Sequence, residues 1–181
     1  EITAGAATAP AGCEGLIFLP YLTGERTPYA DPDARGVFFG ATLRTTQDWF
    51  ARAVLEGVAY SVNDATALLT TLDVPISEVR AIGGGAKSTI WLQIMADVTN
   101  QKHVIPTLDE GPAAGAAILA AVGAGTFANV KDACAALVGT TPAAVPGPDT
   151  STYAKWAPHY QALYPALQAS FKAVARTAAG A

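Results

Sequence analysis

The chain has 181 residues, a length that suits one domain, and 51% of them are hydrophobic while 14% are charged. This composition predicts a well-filled core and excludes a disordered chain. The net charge is −4 and no run of basic residues is present, so we expect neither nucleic acid nor an anionic membrane as a partner.

The cysteines and histidines are few and scattered. Cys13 and Cys134 lie far apart, and the two histidines are His103 and His159. This spacing fits neither a zinc site nor a Cys–His pair, so we predict no metal site and isolated buried thiols in a reducing, cytoplasmic compartment. The chain begins with Glu1 rather than Met and shows no secretory signal, which leads us to expect a piece of a longer polypeptide.

The first third should contain two strands that flank a polar loop. Residues 1–12 are expected to be an irregular lead-in or a frayed helix end, Gly15–Leu22 a buried strand and Val37–Gly40 a second strand. The loop between them, Thr23–Gly36, carries five charged residues: Glu25, Arg26, Asp31, Asp33 and Arg35. They indicate either a solvated loop or an ordered ion-pair cluster that contacts another domain.

A calcium site in this loop is rejected. Asp31-Pro-Asp33 opens like a calcium-binding loop, but Arg35 occupies a ligand position and Thr42 stands where a bidentate Glu is required.

A long helix follows, capped by Thr45-x-x-Asp48 and ending near Thr71. Its predicted apolar face consists of Phe50, Val54, Val58, Val62, Ala65 and Leu69. The opposite side carries a polar stripe at i,i+4 spacing, namely Asp48, Arg52, Glu56, Tyr60 and Asp64. We expect this stripe to be a solvated face with weak ion pairs, too exposed for acid–base chemistry by paired carboxylates.

The central feature is a glycine turn between a predicted strand, Glu78–Ile82, and a helix with apolar residues at 91, 94, 95 and 98. The turn reads Gly83-Gly84-Gly85-Ala86-Lys87-Ser88. Three glycines exceed what a tight turn capped by Ser88 requires, so we predict a ligand contact with bare backbone at the start of the helix. The spacing matches neither a P-loop nor a dinucleotide-binding fingerprint.

The last third should add one more strand and three helices. We expect a strand over Lys102–Pro106 and then an uncharged Ala/Gly helix that begins near Asp109-Glu110-Gly111-Pro112. Glycines break the uncharged run, so a buried, closely packed helix is favoured over a membrane span. A short helix over Val130–Val138, a Pro-rich connector over Thr141–Pro148 and a final helix from Tyr153 to about Ala175 follow. Two prolines in the final helix, Pro158 and Pro165, should kink or split it.

Three segments together resemble the C-terminal domain of FGGY-type carbohydrate kinases. They are Pro20–Gly36 with its Gly-Glu-Arg-Thr-Pro sequence, Arg52-Ala-Val-Leu-Glu-Gly57, and Gly83–Ser88 with the following Trp91 and Gln93–Asp97; the segment from Glu110 to Ala117 fits the same family. The resemblance covers about residues 12–164. It implies an α/β chain with an actin-like ATPase (ribonuclease H-like) fold, the C-terminal portion of a two-domain sugar kinase.

The same resemblance implies a function and a site. Residues 1–181 would be an incomplete C-terminal domain whose N-terminal, sugar-binding and catalytic half lies elsewhere, so no catalytic residue is predicted here. Gly84, Gly85, Ala86 and Ser88 would contact ATP, with Mg²⁺ held mainly by ATP and the other half. The acceptor would be a ketopentose, with D-xylulose the nearest match.

Other functions stay open at this stage. Gluconate, ribulose or glycerol kinases share the pattern, and a non-catalytic actin-like nucleotide-binding module is a further alternative. We expect the chain on its own to be inactive. A homodimer is an open expectation.

Overall fold

The computed structural model describes residues 2–108 and 111–180. Its elements in chain order are α1 (Ile2–Thr8), β1 (Ile17–Leu19), β2 (Val37–Phe39), α2 (Gln47–Thr71), β3 (Val79–Arg80), α3 (Thr89–Thr99), β4 (His103–Pro106), α4 (Gly111–Gly123), α5 (Val130–Leu137), β5 (Thr140–Ala144) and α6 (Thr150–Ala178). The predicted α/β class is confirmed. The acidic pair expected to open the Ala/Gly helix, Asp109 and Glu110, lies outside the described residues.

The strands form two small sheets. β1 and β2 are antiparallel, with Ile17 opposite Phe39. β4 is the central strand of the other sheet, parallel to β3 and antiparallel to β5. The four predicted strands are present but shorter than expected. β5 was not predicted, because the Pro-rich stretch was interpreted as a connector; Pro142 is tolerated there because β5 is an edge strand.

The main core lies where α6 packs on β1, α2 and α3. It is rich in tyrosine: Tyr60 and Tyr160 stack with ring centroids 5.0 Å apart, and Tyr29 and Tyr164 stack at 3.7 Å. The predicted final helix contributes four of the large side chains of the interior, since Tyr153, Tyr160, Leu163 and Phe171 are buried.

Two helices differ from what was expected. The prolines at 158 and 165 do not split α6, which runs unbroken over 29 residues, and a kink at these prolines stays a prediction. Both prolines lie on the exposed side of the helix, where water can hydrogen-bond to the carbonyls that lack an N–H partner. The Ala/Gly helix α4 is exposed rather than buried, with Ile118 as its buried residue, because few other elements of the described chain pack on it.

The loop from Thr23 to Gly36 is held by hydrogen bonds rather than ion pairs within the described chain. Asp31 is buried and accepts hydrogen bonds from Tyr164 Oη at 2.8 Å and from its own loop at Asp33 N. The hydrogen bond from Tyr164 lowers the pKa of the Asp31 carboxyl. Glu25 accepts from the backbone N–H groups of residues 26 and 27. The loop is therefore anchored to α6 through one buried carboxylate.

Candidate functional site

The glycine turn connects β3 to α3 as predicted. Gly83 has φ 76° and ψ −163°, a conformation that glycine adopts far more readily than other residues. Residues 84–87 then form one tight helical turn, in which Ala86 N donates to Gly83 O at 3.2 Å. Ser88 caps α3, and its Oγ accepts from Trp91 N at 3.4 Å. That hydroxyl keeps its own proton, which remains able to donate to a ligand.

An open cleft of about 470 Å³ lies beside this turn. Its lining residues come from two segments, the start of the chain and the glycine turn: Thr3, Ala4, Ala7, Gly84, Lys87, Ser88, Thr89 and Ile90. The volume is within the range of small-molecule pockets, about 300–1,000 Å³. A Cβ added to Gly84 would meet no other atom of the described chain within 4 Å. The missing side chain of Gly84 is therefore not required by packing within the chain.

The four predicted site residues do not all line this cleft. Gly84 and Ser88 do, whereas Gly85 and Ala86 line a smaller cavity of about 170 Å³ behind the turn. A Cβ added to Gly85 would overlap the ring of Trp91, so packing alone accounts for a glycine at this position. Packing therefore explains the glycine at position 85 but not the glycine at position 84.

The cleft lining does not fit a magnesium site. Magnesium prefers oxygen ligands, usually with one or two carboxylates. The lining contains hydroxyls and Lys87 but no Asp or Glu. Within the described residues no group of three His, Cys, Asp or Glu side chains could hold a metal ion.

The polar stripe of α2 contradicts the expectation of a solvated face. Arg52, Glu56, Tyr60 and Asp64 are all 7% exposed or less, and only Asp48 of the stripe is exposed. The predicted apolar face is the more exposed side, since Val54 is 36% and Leu69 42% exposed. The reason is that partners within the chain satisfy most of these polar groups: Arg52 bonds to Glu56, and Gln161 Nε2 donates to Asp64 Oδ1 at 2.7 Å.

Glu56 is the centre of this internal network. Its Oε1 accepts hydrogen bonds from Arg52 Nε at 2.8 Å, Tyr153 Oη at 2.8 Å and Gly12 N at 3.0 Å. Burial raises the pKa of Glu56, while those three hydrogen bonds oppose the shift. Burial and the charge of Glu56 also raise the pKa of the neighbouring Cys13 thiol to about 12. Both cysteines are free thiols, as predicted, but only Cys13 is buried, whereas Cys134 is half-buried.

A further buried carboxylate, that of Asp97, was not assigned a role from the sequence. Asp97 on α3 is 3% exposed and accepts from Gly147 N and from Gln93 Nε2 at 3.1 Å. Gln93 also donates to Val145 O at 2.9 Å. These contacts fix the segment that leads into α6 against the helix of the glycine turn. In the sequence, the i,i+4 spacing of Gln93 and Asp97 could have indicated the hydrogen bond between these two side chains.

The fold and the site together define a class. The described elements form part of the actin-like, ribonuclease H-like ATPase fold, with a glycine turn that exposes backbone at an open cleft.

The chain belongs to the FGGY family of carbohydrate kinases, because the model of that family's C-terminal domain matches residues 2–124. It is similar to the xylulose kinase of Staphylococcus epidermidis, with 39% identity over 91% of this chain and 33% of that protein. It is also 39% identical to the gluconokinase of Bacillus subtilis, over 72% of this chain and 25% of that protein.

A solved structure agrees with these sequence relatives. The crystal structure of ligand-bound xylulose kinase from Lactobacillus acidophilus matches with a TM-score of 0.89 and 33% identity, covering 96% of this chain and 35% of that one. The chain therefore spans about a quarter to a third of the length of these relatives. None of the helices in the described part of the chain has the length and hydropathy of a transmembrane span.

Proposed function

We propose that the cleft beside the glycine turn binds the adenosine part of ATP, with Gly84 and Ser88 in contact with it. The observation that carries this proposal is the bare backbone of Gly84, which faces an open cleft and which no packing contact in the described chain explains. Lys87 and the hydroxyls of Thr89 and Ser88 add polar groups to the same lining. Gly85 and Ala86 would act from behind, by fixing the course of the turn.

We further propose that the chain is the nucleotide-side part of a kinase that transfers the γ-phosphoryl group of ATP to D-xylulose. The support is the similarity to proteins named xylulose kinase. Such a transfer depends on positioning and charge neutralisation, with Mg²⁺ supplied on ATP. Because the cleft lining has no carboxylate, the base and the metal ligands would come from the remaining two thirds of the protein. The residues of this chain would bind and orient the nucleotide in a cytoplasmic enzyme.

Gluconate is the second candidate acceptor. It is favoured by the 39% identity to a gluconokinase and by the crystal structure of gluconate kinase from Lactobacillus acidophilus, which has a TM-score of 0.89 to this chain. The names of these relatives disfavour a non-catalytic module.

The test is a comparison of acceptors in the full-length kinase that we propose contains this chain. Formation of ADP is measured with D-xylulose, gluconate, ribulose and glycerol at matched concentrations. We expect the highest kcat/KM with D-xylulose. A higher kcat/KM with gluconate would show that gluconate, and not D-xylulose, is the acceptor. The 181-residue chain alone should form no ADP above a mock-purified control. Steady formation of ADP by this chain would contradict the proposal that the base and the metal ligands lie in the rest of the protein.

A further inference from the structure

The guanidinium of Arg52 closes the end of α1. Its Nη1 donates to the carbonyl oxygens of Ala6 at 3.3 Å and Ala9 at 3.0 Å, in the last turn of α1 and just beyond it. The last carbonyls of a helix have no intrahelical donor and carry partial negative charge. A buried cation that hydrogen-bonds there satisfies both the hydrogen bonds and the charge.

Arg52 is itself fixed in position by two further hydrogen bonds. Its Nε donates to Glu56 Oε1 and its Nη2 donates to Tyr153 Oη, each at 2.8 Å. Tyr153 belongs to α6 and donates in turn to Glu56. The end of α1 is therefore connected through one guanidinium to two long helices of the core.

The helix α1, whose end Arg52 holds, also forms part of the cleft. The cleft is lined by its residues Thr3, Ala4 and Ala7 together with Gly84 and Ser88 of the glycine turn. Residues at i, i+1 and i+4 share one face of a helix. A helix of seven residues has little stability of its own, so its position depends on its contacts with the core.

We propose that Arg52 is a positioning residue for the nucleotide site, because it caps α1 and thereby holds the wall of the cleft that faces Gly84 and Ser88. Arg52 does not line the cleft itself. The role of the cleft in this proposal rests on the proposed nucleotide-binding function.

The test uses the ¹⁵N,¹³C-labelled 181-residue chain and three variants. Arg52→Met alone would leave Glu56 charged and buried without its partner, which endangers folding. The double variant Arg52→Met/Glu56→Gln replaces the pair by neutral groups and keeps an acceptor for Gly12 N. Arg52→Lys keeps the charge and serves as the conservative variant. Arg44→Met is the matched control, since Arg44 pairs with Glu14 at the surface and has no hydrogen bond or ion pair to α1 among the described residues.

Two properties are measured, the helical Cα shifts of α1 and the Kd for ADP followed at the amides of Gly84 and Ser88. In the double variant we expect the Cα shifts of α1 to move toward coil values while those of α2 and α6 stay helical. The Kd should rise about tenfold, which corresponds to about 1.4 kcal/mol. Arg52→Lys should lie between wild type and the double variant, and Arg44→Met should match wild type.

The outcomes separate the two claims. A folded double variant with unchanged α1 shifts would refute the capping. Altered α1 shifts with an unchanged Kd would refute the role in the site. Absence of any ADP effect at residues 84 and 88 in the wild type would refute the proposed nucleotide function, and the positioning role with it, whereas the α1 shifts would still decide the capping.

Discussion

Replacement of Gly57 by Ala should destabilise the chain, although it improves the helix propensity of α2. In an exposed helix this change stabilises by about 0.8–1.0 kcal/mol. Here the added Cβ would overlap the carbonyl oxygen of Phe18 on β1 and lie 3.1 Å from its carbonyl carbon. Backbone cannot move aside as a flexible side chain can, and overpacking of this kind costs about 1–3 kcal/mol.

Subtracting the propensity gain from this cost leaves a net loss of up to about 2 kcal/mol, which lowers Tm by up to about 8 °C in a chain of this size. The matched control is Gly115→Ala in α4, where an added Cβ meets no atom of the described chain within 4 Å. That variant should gain up to about 1 kcal/mol. Both are measured by thermal unfolding followed by circular dichroism and by the midpoint of urea unfolding. A Tm for Gly57→Ala at or above that of wild type would refute the close approach of α2 and β1.

Three further predictions concern charge, thiol reactivity and the turn. Burial raises the pKa of Asp64, so its carboxyl group stays protonated in the folded chain at pH values at which the unfolded chain has already lost the proton. The free energy of unfolding therefore falls as the pH rises from about 3.9, the value in the unfolded chain, through the folded pKa. Asp64→Asn removes this dependence, so its advantage in unfolding free energy over wild type should grow between about pH 3 and pH 7; a constant difference would contradict it. Cys13, with its thiol pKa raised to about 12, should resist alkylation at pH 8 in the folded chain, whereas half-buried Cys134 should react; equal rates would argue against that burial. Gly84→Val should leave the Tm of the full-length kinase near wild type and raise the KM for ATP at least about tenfold, whereas Gly85→Val should lower Tm through its clash; normal ATP affinity in Gly84→Val would remove the site assignment.

Local signals in the sequence predicted the glycine turn and most helix boundaries. The end of α2 at Thr71 and the cap of α3 at Ser88 are confirmed. The start of α2 is shifted by one residue: Thr46 is the cap that accepts from Trp49 N, while Thr45 Oγ1 accepts from Thr42 N. Two adjacent threonines carry the same capping chemistry, so the sequence alone could not distinguish them.

The orientation of α2 could not be predicted, because it depends on distant partners. Arg52 and Glu56 are buried since the carbonyls of α1, the N–H of Gly12 and the hydroxyl of Tyr153 satisfy them. A prediction from helical periodicity places charged residues on the solvent side. It contains no information about hydrogen-bond partners that lie about forty to a hundred residues away along the chain, as those of Arg52 do. The same limit hid α1, whose face completes the cleft opposite the glycine turn.

Binding of adenosine in the cleft between α1 and the glycine turn is tested most directly by an NMR titration of the ¹⁵N-labelled chain with ADP. The 18.5 kDa chain gives resolved amide signals, which locate even weak binding residue by residue. We expect saturable shifts centred on Gly84 and Ser88, with Thr3, Ala4 and Ala7 across the cleft, and similar shifts with adenosine but not with ribose 5-phosphate. Shifts that cluster elsewhere, or no saturable shift at residues 84 and 88, would contradict the account.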